Sequence, residues 1–176
     1  MNQQVIVDPD KTAVLIMDFQ TRIVNNYASD PQGVVQSATQ VLKGARQAGI
    51  PVIYVVHRGR GFEESSTETD IHPGVSPASG ETIISKTKTS PFSNTGLDAL
   101  LREMGRDTLV LMGVSTSGCV LSTIRWAADI GFKLVVVADA CSDPDPEVHR
   151  VLMEKIYPRQ ASVMVADDVL RAANTA

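Results

Sequence analysis

Short apolar runs alternating with longer stretches of helical period set the strongest limit on what this chain can fold into. Apolar runs of roughly four to eight residues suit strands buried on both faces, and their alternation with helix-length segments is the pattern of parallel strands joined by crossover helices. Six runs qualify: Ala13–Met17, Val52–Val56, Thr82–Ser85, Thr108–Met112, Lys133–Val137 and Ser162–Val165. Between them, Pro31–Gln47 carries Val34, Val35, Ala38, Val41, Leu42 and Ala45 at steps of three and four, the spacing that places one helix face on a core. Gly96–Met104, Cys119–Ile130 and Glu147–Ile156 repeat the scheme. The fold class expected is α/β, a three-layer α/β/α arrangement around a six-stranded, mainly parallel sheet.

Length and composition narrow the function classes. At 176 residues the chain suits one domain, taken as residues 1–176, with enough core to need no metal or disulfide staple. A net charge of −4 with no basic block disfavours nucleic acid as a partner. The apolar runs fall far short of the ~20 residues that span a bilayer, so no membrane partner is expected. The start, MNQQVIVDPDK, lacks the basic-then-apolar order of a signal peptide, and there are only two cysteines, Cys119 and Cys141; both features point to a cytoplasmic location. One polar segment, Arg58–Gly80, has no helical stripe and reads as a long loop, either a binding loop or a surface insertion.

In an open parallel sheet, ligands bind beyond the carboxyl ends of the strands, which gives weight to polar residues directly after apolar runs. Asp18 follows AVLIM, Lys86 follows TIIS, and Cys119 follows LVLMGVSTSG at an expected helix start. Singly, such residues are more often a cap, a solvated lysine and a small buried hydrophobe. Together they make a complete apparatus for acyl transfer. A helix N-terminus and a nearby lysine favour thiolate at Cys119, and an Asp in contact with both can take the thiol proton and return it to a leaving amine.

These residues sit in motifs that resemble the isochorismatase-like cysteine hydrolases, the family of nicotinamidases and N-carbamoylsarcosine amidohydrolase, over about Lys11 to Ala172. AVLIMDFQ places Asp18 at the family's catalytic acid. ISKTKTSPFSNTGL matches K-x-x-x-S-x-F-x-x-T-x-L through Lys86, Ser90, Phe92, Thr95 and Leu97; GVSTSGCVLST matches G-V-x-T-x-x-C-V-x-x-T and puts the nucleophile at Cys119. VVVADACSDPDPEVH resembles the family's fifth strand and acidic turn. The resemblance implies a cis peptide between Val114 and Ser115, an oxyanion hole from the backbone N–H groups of Ser115 and Cys119, and a homo-oligomer, dimer or tetramer. Pro91 and Asn94 depart from the common Ala and Gly, which implies a different pocket wall. Members that hydrolyse isochorismate lack the nucleophilic Cys, so Cys119 implies cleavage of a C–N bond in a small amide, ureido or lactam-type substrate through a thioester, with no cofactor.

Nicotinamidases in this family hold a metal with an Asp-x-His pair just after the second strand. Asp70-Ile71-His72 has the composition but lies well into the loop, His57 stands where the Asp would be expected, and His149 falls near the chain's end; no metal is expected. Phe19, Gln20, His57 and Phe92 follow strand ends or motif residues and are the candidates for the substrate pocket. Trp126 is expected to pack on the sheet or at a subunit contact, and Cys141 to be structural. The competing function is a catalytically altered relative that binds small molecules or uses Cys119 as a redox thiol; the intact acid beside the cysteine favours the hydrolase. Dinucleotide binding fails for want of a G-x-G-x-x-G after the first strand.

Overall fold

The structure is a computed structural model that describes residues 7–174. Six strands form one sheet in the order β3-β2-β1-β4-β5-β6, and every pairing is parallel. They are β1 (Thr12–Met17), β2 (Val52–His57), β3 (Thr82–Lys86), β4 (Thr108–Val114), β5 (Lys133–Ser142) and β6 (Ser162–Met164). All the expected strands are present, and their main error is length: β5 runs five residues further than expected, to Ser142, because its register with β4 shifts between Leu111 and Gly113 and pairing then resumes at Gly113–Cys141. Apolar periodicity cannot register a strand that bulges and restarts.

The helices are α1 (Thr21–Tyr27), α2 (Pro31–Gln47), α3 (Leu97–Glu103), α4 (Leu121–Asp129), α5 (Pro146–Val151) and α6 (Ala166–Asn174). Helix α2 has the expected bounds: Asp30 caps it by accepting from Gly33 N at 3.0 Å, and Pro31 opens its first turn. Its stripe of Val34, Ala38, Val41, Leu42 and Ala45 packs with Val14 and Ile16 of β1 on one face of the sheet. Ala13, Leu15 and Met17, pointing the other way, pack with Leu97, Leu101, Ile124, Ala127 and Tyr157. Two helices were not anticipated. α1 is short, has no side-chain cap and buries only Ile23 and Val24; α6 joins the core through Val169, and its Leu170 lies where a side chain on Gly44 of α2 would be.

The expected helix Cys119–Ile130 begins earlier and differently. A π-helical turn, Thr116–Val120, precedes α4, so Cys119 lies inside the turn rather than at its first residue. A second π-helical turn, Leu152–Ile156, continues α5. Trp126 is 43% exposed on α4, so of its two expected places, the sheet or a subunit contact, it does not take the first. The segment after β2 contains a short 3₁₀ turn, Pro73–Val75, and an isolated bridge between Gln20 and Ile71. No helix among the described residues is long and apolar enough to cross a membrane.

Candidate active site

The strand order places the polar residues that follow the apolar runs on one rim. Connections run from β1 outward to β2 and β3 on one side and through β4 to β6 on the other, so the rim between β1 and β4 is where the order reverses and a crevice opens. Asp18 directly follows β1 there, with φ of 58°, a left-handed conformation that Asp tolerates better than most residues and that turns the chain off the strand. Its N–H donates to Val55 O at 2.8 Å. Lys86 is the last residue of β3, opposite His57 of β2, and its long side chain spans the end of β2 to reach Asp18. Cys119 enters from the turn after β4. Gly113 makes room for it, since a Cβ there would come within 2.8 Å of Val120 and 3.2 Å of Cys119 Sγ.

Lys86 Nζ donates to Asp18 Oδ2 at 2.8 Å and to Lys88 O at 3.2 Å. Lys86 is 2% exposed, so this is a buried ion pair, and it is held in place by satisfied donors. The other carboxylate oxygen, Asp18 Oδ1, is buried and accepts no hydrogen bond from the described residues. The Cys119 thiol donates to Val114 O at 3.4 Å, yet it also lies within range to interact with Asp18 by charge and hydrogen bonding. The thiol thus has a carbonyl acceptor and, nearby, a carboxylate with an unused oxygen.

Electrostatics correct one expectation. Cys119 is 3% exposed, and burial, with the Asp18 charge second, holds its thiol well above the ordinary range against the smaller pull of Lys86. Both of these effects oppose the thiolate that a helix N-terminus and Lys86 were expected to favour. Burial also raises the Asp18 carboxyl, against the lowering effects of Lys86 and His57. Each group resists carrying charge alone in this dry corner, and a proton passing from Cys119 to Asp18 moves the negative charge without adding one.

The cavity in front of these groups is about 450 Å³, and besides Asp18, Lys86 and Cys119 it is lined by Val114, Ser115, Ile23, Tyr27, His57, Arg60, Phe62, Thr87, Lys88 and Thr89. The Val114–Ser115 peptide is cis, as the resemblance implies. Of the four pocket candidates, His57 alone lines the cavity. Phe19 is buried in the core on the α2 face, Phe92 packs against Phe132 in the opposite core at 5.9 Å, and Gln20 is wholly buried as a tie between segments. Gln20 accepts from His57 N at 2.7 Å and donates to His57 O at 3.0 Å and to Thr69 O. These three follow strand ends or motif positions, but that placement does not say which way a side chain points.

The residues sequence reasoning missed come from α1 (Ile23, Tyr27), the start of the long segment (Arg60, Phe62) and the turn after β3 (Thr87, Lys88, Thr89). The last group had a signal through its adjacency to Lys86, and Arg60 and Phe62 had one through the binding-loop reading of Arg58–Gly80; α1 had none. Asn94, one of the two departures in the second motif, donates to Thr87 Oγ1 at 2.8 Å and so acts on the wall indirectly. The Asp70 and His72 side chains have other uses: Asp70 accepts from Arg58 at 3.1 Å and from Ser65, while His72 Nδ1 accepts from Gly74 N. His149 is bonded to Thr116 Oγ1 at 2.8 Å, beside the π-helical turn. Among the described residues no three His, Cys, Asp or Glu side chains form a metal-binding group.

Residues 12–168 match the Isochorismatase domain family. A protein of that family from Bacillus subtilis, YddQ, whose activity is uncharacterized, is 31% identical over 157 residues, 85% of each chain. The chain belongs to the isochorismatase family. Maleamate amidohydrolase of Pseudomonas putida is 28% identical over 183 residues, covering 92% of this chain and 86% of that one. A crystal structure of an isochorismatase-family protein from Chromobacterium violaceum superimposes with a TM-score of 0.89 at 28% identity over all of both chains. The family is one of hydrolases of small molecules, some of which act on amide bonds.

Proposed function

We propose that this isochorismatase-family hydrolase cleaves a C–N bond of a small amide-type substrate, with Cys119 as nucleophile, Asp18 as proton carrier and Lys86 as the cation that keeps Asp18 in place and ionised. The observation that carries the reading is the buried Asp18 carboxylate, which is close enough to Cys119 to interact with it and keeps Oδ1 unpaired while Lys86 holds Oδ2. An orphaned buried carboxylate oxygen is costly, and a proton-accepting role accounts for its retention.

The steps balance without a cofactor. Asp18 Oδ1 takes the thiol proton as Sγ attacks the carbonyl carbon, and the carbonyl π electrons move to oxygen. The N–H groups of Ser115 and Cys119, two residues on the cavity wall, are assigned to that oxyanion. Collapse breaks the C–N bond while Asp18 gives its proton to the departing nitrogen, leaving a thioester on Cys119. Water then adds to the thioester carbonyl, losing its proton to Asp18; the C–S bond breaks, and the thiol recovers that proton. The net reaction is amide plus water to acid plus amine or ammonia. The burial of Cys119 supports this reading over a redox role, since oxidant-sensing thiols are exposed and of low pKa.

The test is a panel of primary amides, ureido acids and lactams, with ammonia or amine release measured, and with Cys119→Ala as the control. A substrate turned over by the wild type and lost in the variant, with an acyl adduct on Cys119 seen by mass spectrometry, is the expected result. Full activity in Cys119→Ala would overturn the covalent mechanism.

A further inference from the structure

We propose that Arg60 and Lys88 form an anion clamp at the mouth of the Cys119 cavity, so that the substrate is a small amide or ureido compound that also carries a carboxylate. This deepens the hydrolase reading and rests on it. The inference starts from a charge balance. Inside the cavity Lys86 and Asp18 neutralise one another at 2.8 Å, whereas Arg60 and Lys88 line the same cavity and neither forms an ion pair among the described residues.

The neighbouring arginines show that Arg60 is free by position and not through any general looseness. Arg58, two residues earlier, donates to Thr69 O at 2.9 Å and to Asp70 at 3.1 Å. Arg22 of α1 donates to Gly61 O and stacks over the Phe62 ring at 4.0 Å. The backbone carrying Arg60 is fixed as well, by Arg58 N to Lys86 O and Phe62 N to Gly59 O, each at 2.8 Å. Lys88 is tied to the catalytic groups, because its carbonyl accepts from Lys86 Nζ. Glu63, whose charge acts on His57, does not line the cavity; it accepts from Gly61 N at 2.8 Å.

Two cationic residues on an anchored backbone, lining a cavity whose one carboxylate is already paired with Lys86, are complementary to an anionic ligand. Ile23, Tyr27 and Phe62 supply apolar wall to the same cavity, which lowers the local dielectric and strengthens attraction to a carboxylate once water is displaced. Thr87 and Thr89, which carry hydroxyl donors, line the same cavity. A neutral amide of the same length would leave both cations without a counter-charge. Both are solvent-exposed when the cavity is empty, so the selectivity should be moderate and should weaken with salt.

The experiment compares matched pairs, succinamate with succinamide and glutaramate with glutaramide, through kcat/KM for ammonia release in the wild type and in Arg60→Gln/Lys88→Gln. The wild type should favour one of the acid amides by at least about tenfold, the order expected for a charge-assisted contact, and the double variant should bring that ratio near one. A wild-type ratio near one for both pairs, or a ratio unchanged in the double variant, would overturn the clamp. Calorimetric titration with succinate and glutarate separates this from the hydrolase reading. If no amide is turned over but either dianion binds the wild type and fails to bind the double variant, the clamp stands and the hydrolase reading falls. If no amide is turned over and neither dianion binds, both fall.

Discussion

The two cysteines lie in adjacent parts of the molecule and differ in almost nothing but their partners. Cys119, in the π-helical turn after β4, and Cys141, near the end of β5, are 3% and 4% exposed, and burial raises both thiols, Cys141 to about 12. Cys141 Sγ lies 4.0 Å from Leu111 O, and the nearby carboxylate, Asp139, only pushes its thiol further up. It borders a separate hollow of about 350 Å³ whose wall includes Asp30, Asp139 and His149 but no lysine or arginine. Cys119 has a buried carboxylate with one oxygen unused, and a lysine that holds the other. Burial therefore does not distinguish a nucleophile from a core residue. What distinguishes them is whether a proton acceptor and a compensating cation are buried with the thiol.

The largest expected effect sharpens that contrast directly. Cys119→Ala should lower kcat by at least ~10³-fold on any substrate found, as for removal of a nucleophile. Cys141→Ala should leave kcat within a few-fold and cost about 1 kcal/mol of stability, as is common for a buried substitution, in a denaturant titration. A Cys141→Ala variant that loses activity as Cys119→Ala does would dissolve the comparison.

Asp18→Asn comes next. Asn is among the few residues that accept the φ of 58° at this position and it can still accept from Lys86, so the variant is expected to fold, which circular dichroism checks. Hydrolysis should fall by ~10²–10⁴-fold, the range for loss of a general acid–base. Iodoacetamide labelling of Cys119 should persist or quicken, because an anion that opposes thiolate has gone and Lys86 remains. Equal loss of labelling and hydrolysis would refute the proton-carrier role.

The pH profile carries a smaller effect with a definite sign. Asp18 must be ionised to accept the thiol proton, and burial raises its carboxyl above the usual value of 3.8, so the acid limb of kcat/KM should lie above that of an ordinary carboxylate. Stability has the opposite sign. A carboxyl that holds its proton more tightly folded than unfolded contributes stability below the unfolded value and loses it as pH rises through the raised one. The contribution of Asp18, read as the difference in melting temperature between wild type and Asp18→Asn across pH, should therefore favour the wild type more at the acid end, where activity is lost. An acid limb at or below the ordinary carboxylate range would contradict the burial argument.

The smallest effect is expected at Lys86→Met, measured by Cys119 alkylation. At a pH where Asp18 stays ionised, removing the cation raises the cost of thiolate, so the apparent pKa for alkylation should rise and the rate should fall several-fold, while Cys141 labelling is unchanged. Faster labelling of Cys119 would show that Lys86 acts on the thiol in the sense opposite to the one assigned.

Sequence alone determined the sheet and its rim. Runs such as Ala13–Met17 and Thr108–Met112 are apolar enough to be buried on both faces, and the polar residues after them have nowhere to go but the carboxyl edge, so Asp18, Lys86 and Cys119 could be named before their contacts were known. Helix α2 was legible to the residue because capping and periodicity are local signals, and Asp30, Pro31 and its apolar stripe all agree. Tertiary structure decided what those residues meet. Phe19, Gln20 and Phe92 turned into the core, while Ile23, Tyr27, Arg60 and Phe62, from a helix and a loop with weak local patterns, became the wall. It also set the direction in which the Cys119 thiol is pushed, upward, where the sequence suggested a thiolate. A pKa is set by the sum of solvent exclusion and charges from segments distant in the chain, and no local periodicity encodes that sum.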